Sequence, residues 1–314
     1  MGCCFSSKLY KSNTILEDKN DLICSINQNN YSNFISYNQN TDKKKFSIKF
    51  PNGSNYIYYC DIKKCFIKNK NINEWINNLY LDSSWNNWIV YNDETNINNY
   101  KRNHCKGILA WNNIKISWLC HSVSNFPSYF EGNKISEISY NELMYGQSFQ
   151  YIEIDFTNEM IYNILNQIHI MEAHIFIEKY DNEKYKNFIF PIIKDINTIK
   201  LSDNISHVAK SPKYNFDIYG EYVVKEYNFL WNIETLIKGN LIETNCNIKD
   251  IKKLCFEDVT FNESQDHSKW GVSDKDYYCI SDLNRTLSQY KKGGGIFICK
   301  DKELSKSLYL LILS

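Results

Sequence analysis

Two short segments of this 314-residue chain carry the same pair of chemical groups: Asn103-His104-Cys105-Lys106-Gly107 and Asp266-His267-Ser268-Lys269-Trp270. On an extended strand, residues two apart point the same way, so each segment presents an imidazole beside an ammonium. Facing each other, one imidazole can attack an electrophile while the other protonates the leaving group. The two ammonium groups can neutralise developing negative charge. Cleavage of a phosphodiester needs this set, and lysine charge can do the work without a metal ion or other cofactor. One histidine must be neutral and the other protonated, and an ordinary imidazole pKa of about 6.5 makes mildly acidic solution the natural condition.

Each motif is followed by a strand ending in small polar residues: His121-Ser122-Val123-Ser124-Asn125 after the first, Ser281-Asp282-Leu283-Asn284-Arg285 after the second. Hydroxyl and amide donors on Ser122, Asn125 and Asn284 suit nonbridging phosphate oxygens. His121, Asp282 and Arg285 complete the expected substrate-contacting set, with two readings left open for His121 (substrate contact or a bond holding a strand end) and for Arg285 (phosphate contact or helix cap). Trp270 reads as core before it reads as a stacking platform, and Gly293-Gly294-Gly295 as a tight turn or bulge before it reads as a phosphate cradle.

The elements that must carry these groups follow from hydrophobic periodicity. Phe46, Ile48 and Phe50 alternate with polar residues, Pro51-Asn52-Gly53 turns, and Tyr56-Ile57-Tyr58-Tyr59 returns, which predicts a β-hairpin. Trp88–Tyr91, Gly107–Trp111, Ile114–Cys120, Tyr151–Phe156, Tyr278–Ile280 and Ile296–Cys299 read as further strands. Asn158–Ile168 has helical spacing, and Tyr222–Leu241 reads as a helix followed by a strand. Mixed strands and helices throughout predict an α/β fold. Residues 1–43 lack periodic apolar positions and read as a flexible tail before a catalytic unit spanning 44–314.

The chain carries 36 basic and 36 acidic residues, so charge for binding an anionic polymer must be concentrated in a cleft. Six histidines add positive charge in acid. Eleven cysteines form no CxxC pair, which argues against a zinc ribbon or a thioredoxin-type site. Met1-Gly2-Cys3-Cys4-Phe5-Ser6 fits the myristoylation pattern at Gly2 with palmitoylation at Cys3 and Cys4, so attachment to a membrane surface is expected.

Around the histidine motifs the sequence resembles the deoxyribonuclease II family. The resemblance rests on Tyr91-Asn92-Asp93 with His104-x-Lys106-Gly107, on Trp118-Leu119-x-His121-Ser122-Val123-x-Asn125-Phe126-Pro127, and on Tyr145-Gly146-Gln147-Ser148. It continues with Asp266-His267-Ser268-Lys269-Trp270, Cys279-Ile280-x-Asp282-x-Asn284-Arg285 and Gly293-Gly294-Gly295. It implies a phospholipase D-like pseudo-dimer of two mixed-sheet halves, about 44–156 and 157–314, with one active site where they meet. It implies acid-favoured, metal-independent endonucleolysis of double-stranded DNA to 3′-phosphate ends, with His104, Lys106, His267 and Lys269 as the catalytic group. Which histidine is the nucleophile is left open, with a leaning to His104. Cys279 and Cys299 resemble a family disulfide, which needs an oxidising compartment. The family's secretory or lysosomal setting and the acylation pattern point to different compartments. Two other functions fit the same residues: a catalytically silent nucleic-acid-binding member of the fold, or a phosphodiesterase acting on a phospholipid.

Overall fold

The computed structural model describes residues 43–81, 84–94, 102–131, 134–180, 195–236 and 247–312. Gly2, Cys3 and Cys4 lie outside the described residues, and the first strand begins at Lys43, where the tail was expected to end. No helix among the described residues is long and apolar enough to cross a membrane.

The first stretch forms β1 (Lys43–Lys49), β2 (Tyr56–Cys60), β3 (Cys65–Asn69), α1 (Ile72–Leu79), β4 (Asn87–Tyr91), β5 (Gly107–Trp111) and β6 (Lys115–His121). A small hairpin, β7 (Phe130–Glu131) and β8 (Lys134–Ile135), precedes α2 (Tyr140–Leu143), β9 (Gln147–Asp155), α3 (Asn158–Ile170) and β10 (Ile175–Lys179). The second stretch forms β11 (Ile196–Ser202), β12 (Ile205–Lys210), α4 (Val224–Tyr227), β13 (Trp231–Glu234) and β14 (Ile248–Asp250). It ends with β15 (Lys253–Phe256), β16 (Val259–Asn262), β17 (Trp270–Ser273), β18 (Tyr277–Ser281), β19 (Gly294–Lys300) and α5 (Lys302–Tyr309). The expected α/β class therefore holds.

Two large sheets result, ordered β10-β4-β5-β6-β9-β1-β2-β3 and β11-β12-β19-β18-β17-β13-β14. Their centres follow the same plan: a strand led by a His-x-Lys segment (β5, β17), its hairpin partner (β6, β18), then a strand entered through a glycine (β9, β19). β10 pairs with β4 although it follows residue 156, so the first sheet draws on chain beyond the expected boundary between the halves.

The two sheets share a buried core. Trp118 on β6 packs edge-on against Phe297 on β19 at 4.9 Å, and Phe46 on β1 packs against Tyr278 on β18 at 5.7 Å. The Tyr278 hydroxyl donates to Gln150 Oε1 across the interface. The same core takes in α3 and α5 through Ile161, Ile164, Leu304 and Leu308. The outer face of the first sheet is covered by α1, whose start is fixed by Asn71 Oδ1 accepting from the backbone N–H of Asn73 and Glu74.

The expected helix followed by a strand over Tyr222–Leu241 is present as far as residue 236, and 237–241 lie outside the described residues: a π-helical turn, Ile218–Val223, runs into α4, and Asn228 at φ 43° stops it in the left-handed region. The chain then straightens into β13, because Trp231 and Ile233 fill the outer core of the second sheet. Cys279 and Cys299 are free thiols. Cys299 lies opposite Tyr278, one residue off Cys279, so the two thiols point to opposite faces of one sheet and cannot be bridged.

His207 on β12 is wedged between the rings of Trp118 (4.5 Å) and Phe297 (4.6 Å), and its Nδ1 is hydrogen-bonded to Gln167. Burial pushes its pKa from 6.5 down to about 3. A neutral buried histidine stabilises the fold fully above the unfolded pKa and progressively less as pH falls toward the folded one. Each costs up to about 1.4 kcal/mol per pH unit in that window. Thermal unfolding at pH 7, 6, 5 and 4 should show Tm falling less steeply in His207→Phe than in the wild type. Parallel pH profiles would contradict this placement.

Candidate active site

The two motifs are held in mirrored ways. Lys106 and Lys269 end their segments just before β5 and β17, and each backbone carbonyl accepts from the hairpin partner: His121 N–H to Lys106 O at 3.3 Å and Ser281 N–H to Lys269 O at 2.8 Å. Each ammonium curls back to the carbonyl of its own histidine, Lys106 Nζ to His104 O at 3.4 Å and Lys269 Nζ to His267 O at 2.8 Å. Cys105 faces the opposite way, into the core.

The histidine backbones, in contrast, bond across to the other sheet. His104 N–H donates to Gly293 O at 2.9 Å, and His267 N–H donates to Gly146 O at 2.9 Å. Gly293 leads into β19 and Gly146 into β9, so each motif is stitched to the strand entry of its counterpart. A side chain at either glycine would collide: a Cβ at Gly293 would sit 2.1 Å from Met171 O, and one at Gly146 2.5 Å from Asp266 Oδ1.

Further bonds tighten the crossing. Lys106 N–H donates to Asp282 Oδ1 at 3.3 Å, and Asp282 Oδ2 accepts from Gly295 N–H at 2.8 Å. On the other side Lys269 N–H donates to Ser148 Oγ at 3.1 Å, and Ser148 N–H donates to Ser122 Oγ at 3.0 Å. Ser122 in turn donates to Gln147 Oε1 at 2.6 Å.

The two imidazoles have different surroundings. His104 Nδ1 lies 2.8 Å from the carbonyl oxygen of Asp282. A carbonyl only accepts, so Nδ1 carries the proton and Nε2 keeps its lone pair. Burial, then the charge of Lys106, holds the His104 pKa down at about 3 despite Asp93, whose Oδ2 lies 3.8 Å from Nε2. His267 instead stacks on Tyr145, ring centres 4.0 Å apart, with Nδ1 3.7 Å from Glu142 Oε2. That carboxylate also accepts from Gln147 Nε2 at 3.0 Å.

The lysines differ as well. Burial opposes the charge on Lys106, but its ion pair with Asp93 more than offsets this and raises its pKa. Lys269 has no carboxylate within ion-pairing distance among the described residues. Burial and then Lys106 lower its pKa to about 8. Asp93 is held near 2, because Lys106, His104 and Lys269 together outweigh the burial that opposes its charge. The two ammoniums are thus close enough to repel, and Asp93 ion-pairs with Lys106 alone, which is an arrangement suited to an anionic ligand.

Several expected contacts turn out to be internal. Arg285 is 1% exposed and pairs with Asp217 Oδ2 at 3.4 Å and with Asp250 Oδ1. The Ser122 hydroxyl is fully committed, and both Asp282 oxygens accept backbone N–H groups. Burial lifts the Asp282 pKa to about 6 against those donors. His121 is buried edge-on to Phe126 at 5.2 Å. Trp270 is fully buried core. Asn125, half-buried at φ 50°, precedes the cis Phe126–Pro127 bond. Asn284 is half-buried, and its Oδ1 is a buried acceptor with no hydrogen-bond partner among the described residues. Asp93, Glu142, Tyr145 and Ser148 were given no role in the sequence reading. The signal for Asp93, Tyr145 and Ser148 was that they sit in the Tyr-Asn-Asp and Tyr-Gly-Gln-Ser segments; Glu142 lies just outside them.

A family model described as deoxyribonuclease II matches residues 34–314. The chain belongs to the deoxyribonuclease II family. It is 26% identical over 298 residues to cell-death-related nuclease 7 of Caenorhabditis elegans, covering 83% of this chain and 79% of that protein. It is 26% identical over 252 residues to a putative deoxyribonuclease-2 of Burkholderia pseudomallei, covering 70% and 69%. To deoxyribonuclease-2-beta of Rattus norvegicus it is 27% identical over 258 residues, covering 72% and 70%. The mixed sheets and few helices are consistent with the phospholipase D-like fold expected of that family.

Arg285→Met would leave Asp217 and Asp250 buried without their countercharge. A loss of roughly 3–5 kcal/mol of stability is expected from breaking such a buried pair. Urea titration measures it, and an unchanged midpoint would contradict a structural role for Arg285.

Proposed function

We propose that this chain is an acid endonuclease that hydrolyses phosphodiester bonds of double-stranded DNA without a metal ion and leaves 3′-phosphate ends. The names of its relatives point to DNA as substrate. The observation that carries the mechanism is the bond from His104 Nδ1 to the Asp282 carbonyl, which leaves Nε2 as a free nucleophile in one tautomer.

In the first step His104 Nε2 attacks phosphorus. A P–N bond forms, the P–O5′ bond breaks, and protonated His267 gives its Nε2 proton to the departing 5′ oxygen. In the second step His267 takes a proton from water, whose oxygen attacks phosphorus. The P–N bond breaks, and neutral His104 and a 3′-phosphate are released. Lys106 and Lys269 stabilise charge on the nonbridging oxygens, and Asn284 supplies a further amide donor to them. Asp93 holds Lys106, and Glu142 with Tyr145 holds the His267 ring.

The domain reading goes with this mechanism: one catalytic unit of two related halves meeting at a single site. The matching strand orders β5-β6-β9-β1 and β17-β18-β19-β12 support it.

Purified protein incubated with supercoiled plasmid at pH 5 in EDTA should nick and linearise it. His104→Ala and His267→Ala should each be slower by at least about 100-fold. Because burial holds the His104 pKa down at about 3, protonation of that ring should not limit activity at pH 5 or pH 4. Loss of activity in EDTA with recovery in Mg²⁺ would contradict the mechanism, and a wild type inert at every pH would favour a silent binding protein.

A further inference from the structure

Two buried lysines outside the motifs occupy matched positions in the two sheets. Lys49 is the last residue of β1 and lies opposite Gln147, the residue after Gly146. Lys210 is the last residue of β12 and lies opposite Gly294, the residue after Gly293. Both side chains are wholly buried, and among the described residues neither forms an ion pair with a carboxylate. Lys49 Nζ donates to the carbonyl oxygens of Phe50 at 2.7 Å, Gly53 at 2.9 Å and Leu143 at 2.8 Å. Lys210 Nζ donates to Tyr290 O at 2.7 Å and Lys292 O at 2.6 Å.

We propose that Lys49 and Lys210 are a matched pair of positioning residues, each clamping the loop whose glycine carbonyl holds the other motif's histidine. Leu143 lies three residues before Gly146, whose carbonyl accepts from His267 N–H. Lys292 lies directly before Gly293, whose carbonyl accepts from His104 N–H. The control is therefore crossed: Lys49, in the sheet of His104, sets His267, and Lys210, in the sheet of His267, sets His104.

An ammonium suits the task because its three N–H groups fan out and can serve several converging carbonyls, which a planar guanidinium cannot. Burying a charge against neutral carbonyls is costly, and burial accordingly lowers Lys49 to about 7 and Lys210 to about 8, opposed by Asp266 and Glu142 at Lys49 and by Asp217 at Lys210. An apolar side chain would pack at these depths without that cost, so what the lysines contribute is the geometry of the loop.

The inference rests on the nuclease reading for its consequence, but the test separates the two. Lys49→Met and Lys210→Met are made in the full chain with ¹⁵N-labelled histidine, and imidazole resonances are assigned through single His→Gln variants. Lys49→Met should shift the His267 ring and leave His104 unmoved, and Lys210→Met should do the reverse. On plasmid DNA each should lose kcat by roughly 10- to 100-fold with KM little changed, the signature of a misplaced reacting group. Lys→Gln variants, which keep two N–H donors, serve where a Met variant does not fold. Shifts confined to the histidine of the same sheet, shifts in neither ring, or a rise in KM alone would overturn the proposal. Crossed shifts in a protein that cleaves no DNA would uphold the positioning and reject the nuclease reading.

Discussion

The backbone hydrogen bonds from His104 to Gly293 and from His267 to Gly146 are the constraint on which the site depends. Two sheets that merely packed through Trp118, Phe297, Phe46 and Tyr278 could slide by a fraction of a residue and keep most of their buried area, because apolar contact is not directional. A backbone hydrogen bond has a narrow range of distance and angle. Exchanging one in each direction ties the rotation and translation of the sheets to the spacing of the two motifs. The glycines are required at the exchange points, since a Cβ at either would run into a neighbouring backbone or carboxylate oxygen.

From this symmetric scaffold the site breaks symmetry through its neighbours. The residue after β18 is Asp282, whose carbonyl fixes the His104 tautomer and whose carboxylate holds Gly295 and Lys106. Its counterpart after β6 is Ser122, whose Oγ accepts from Ser148 N–H as Asp282 accepts from Gly295, and the His267 ring is held by Tyr145 and Glu142. Lys106 has a carboxylate partner in Asp93, while among the described residues the Lys269 ammonium is hydrogen-bonded to the carbonyl of His267 and ion-paired with no carboxylate. Both imidazoles lie near a carboxylate, Asp93 for His104 and Glu142 for His267, but His104 is also buried beside the Lys106 ammonium, which favours its neutral form. Two copies of one motif acquire complementary chemistry because different side chains surround them.

The catalytic candidates and the strands that carry them were legible in the sequence, because two-residue periodicity and a doubled His-x-Lys pattern are local signals. The strands through Trp88–Tyr91, Gly107–Trp111 and Ile296–Cys299 came from the same signal. What was not legible depended on contacts distant in sequence. Arg285 looked like a phosphate ligand because nothing nearby reveals that Asp217 and Asp250 close around it. Cys279 and Cys299 resembled a disulfide until the β18–β19 register put them on opposite faces. Lys49 and Lys210 look like ordinary surface lysines in the sequence, and only the fold shows them buried against carbonyls.

The assignment of His104 as nucleophile and His267 as acid is tested most directly with an oligonucleotide duplex whose scissile 5′ oxygen is replaced by sulfur. A thiolate leaves without protonation, so an enzyme that lacks only its general acid should regain activity on this substrate. The account predicts that His267→Ala releases the 5′ thiol from the sulfur-containing duplex in a single turnover at close to the wild-type rate and accumulates phospho-His104, for want of the base of the second step, while His104→Ala stays inactive. Rescue of His104→Ala with continued inactivity of His267→Ala would contradict it.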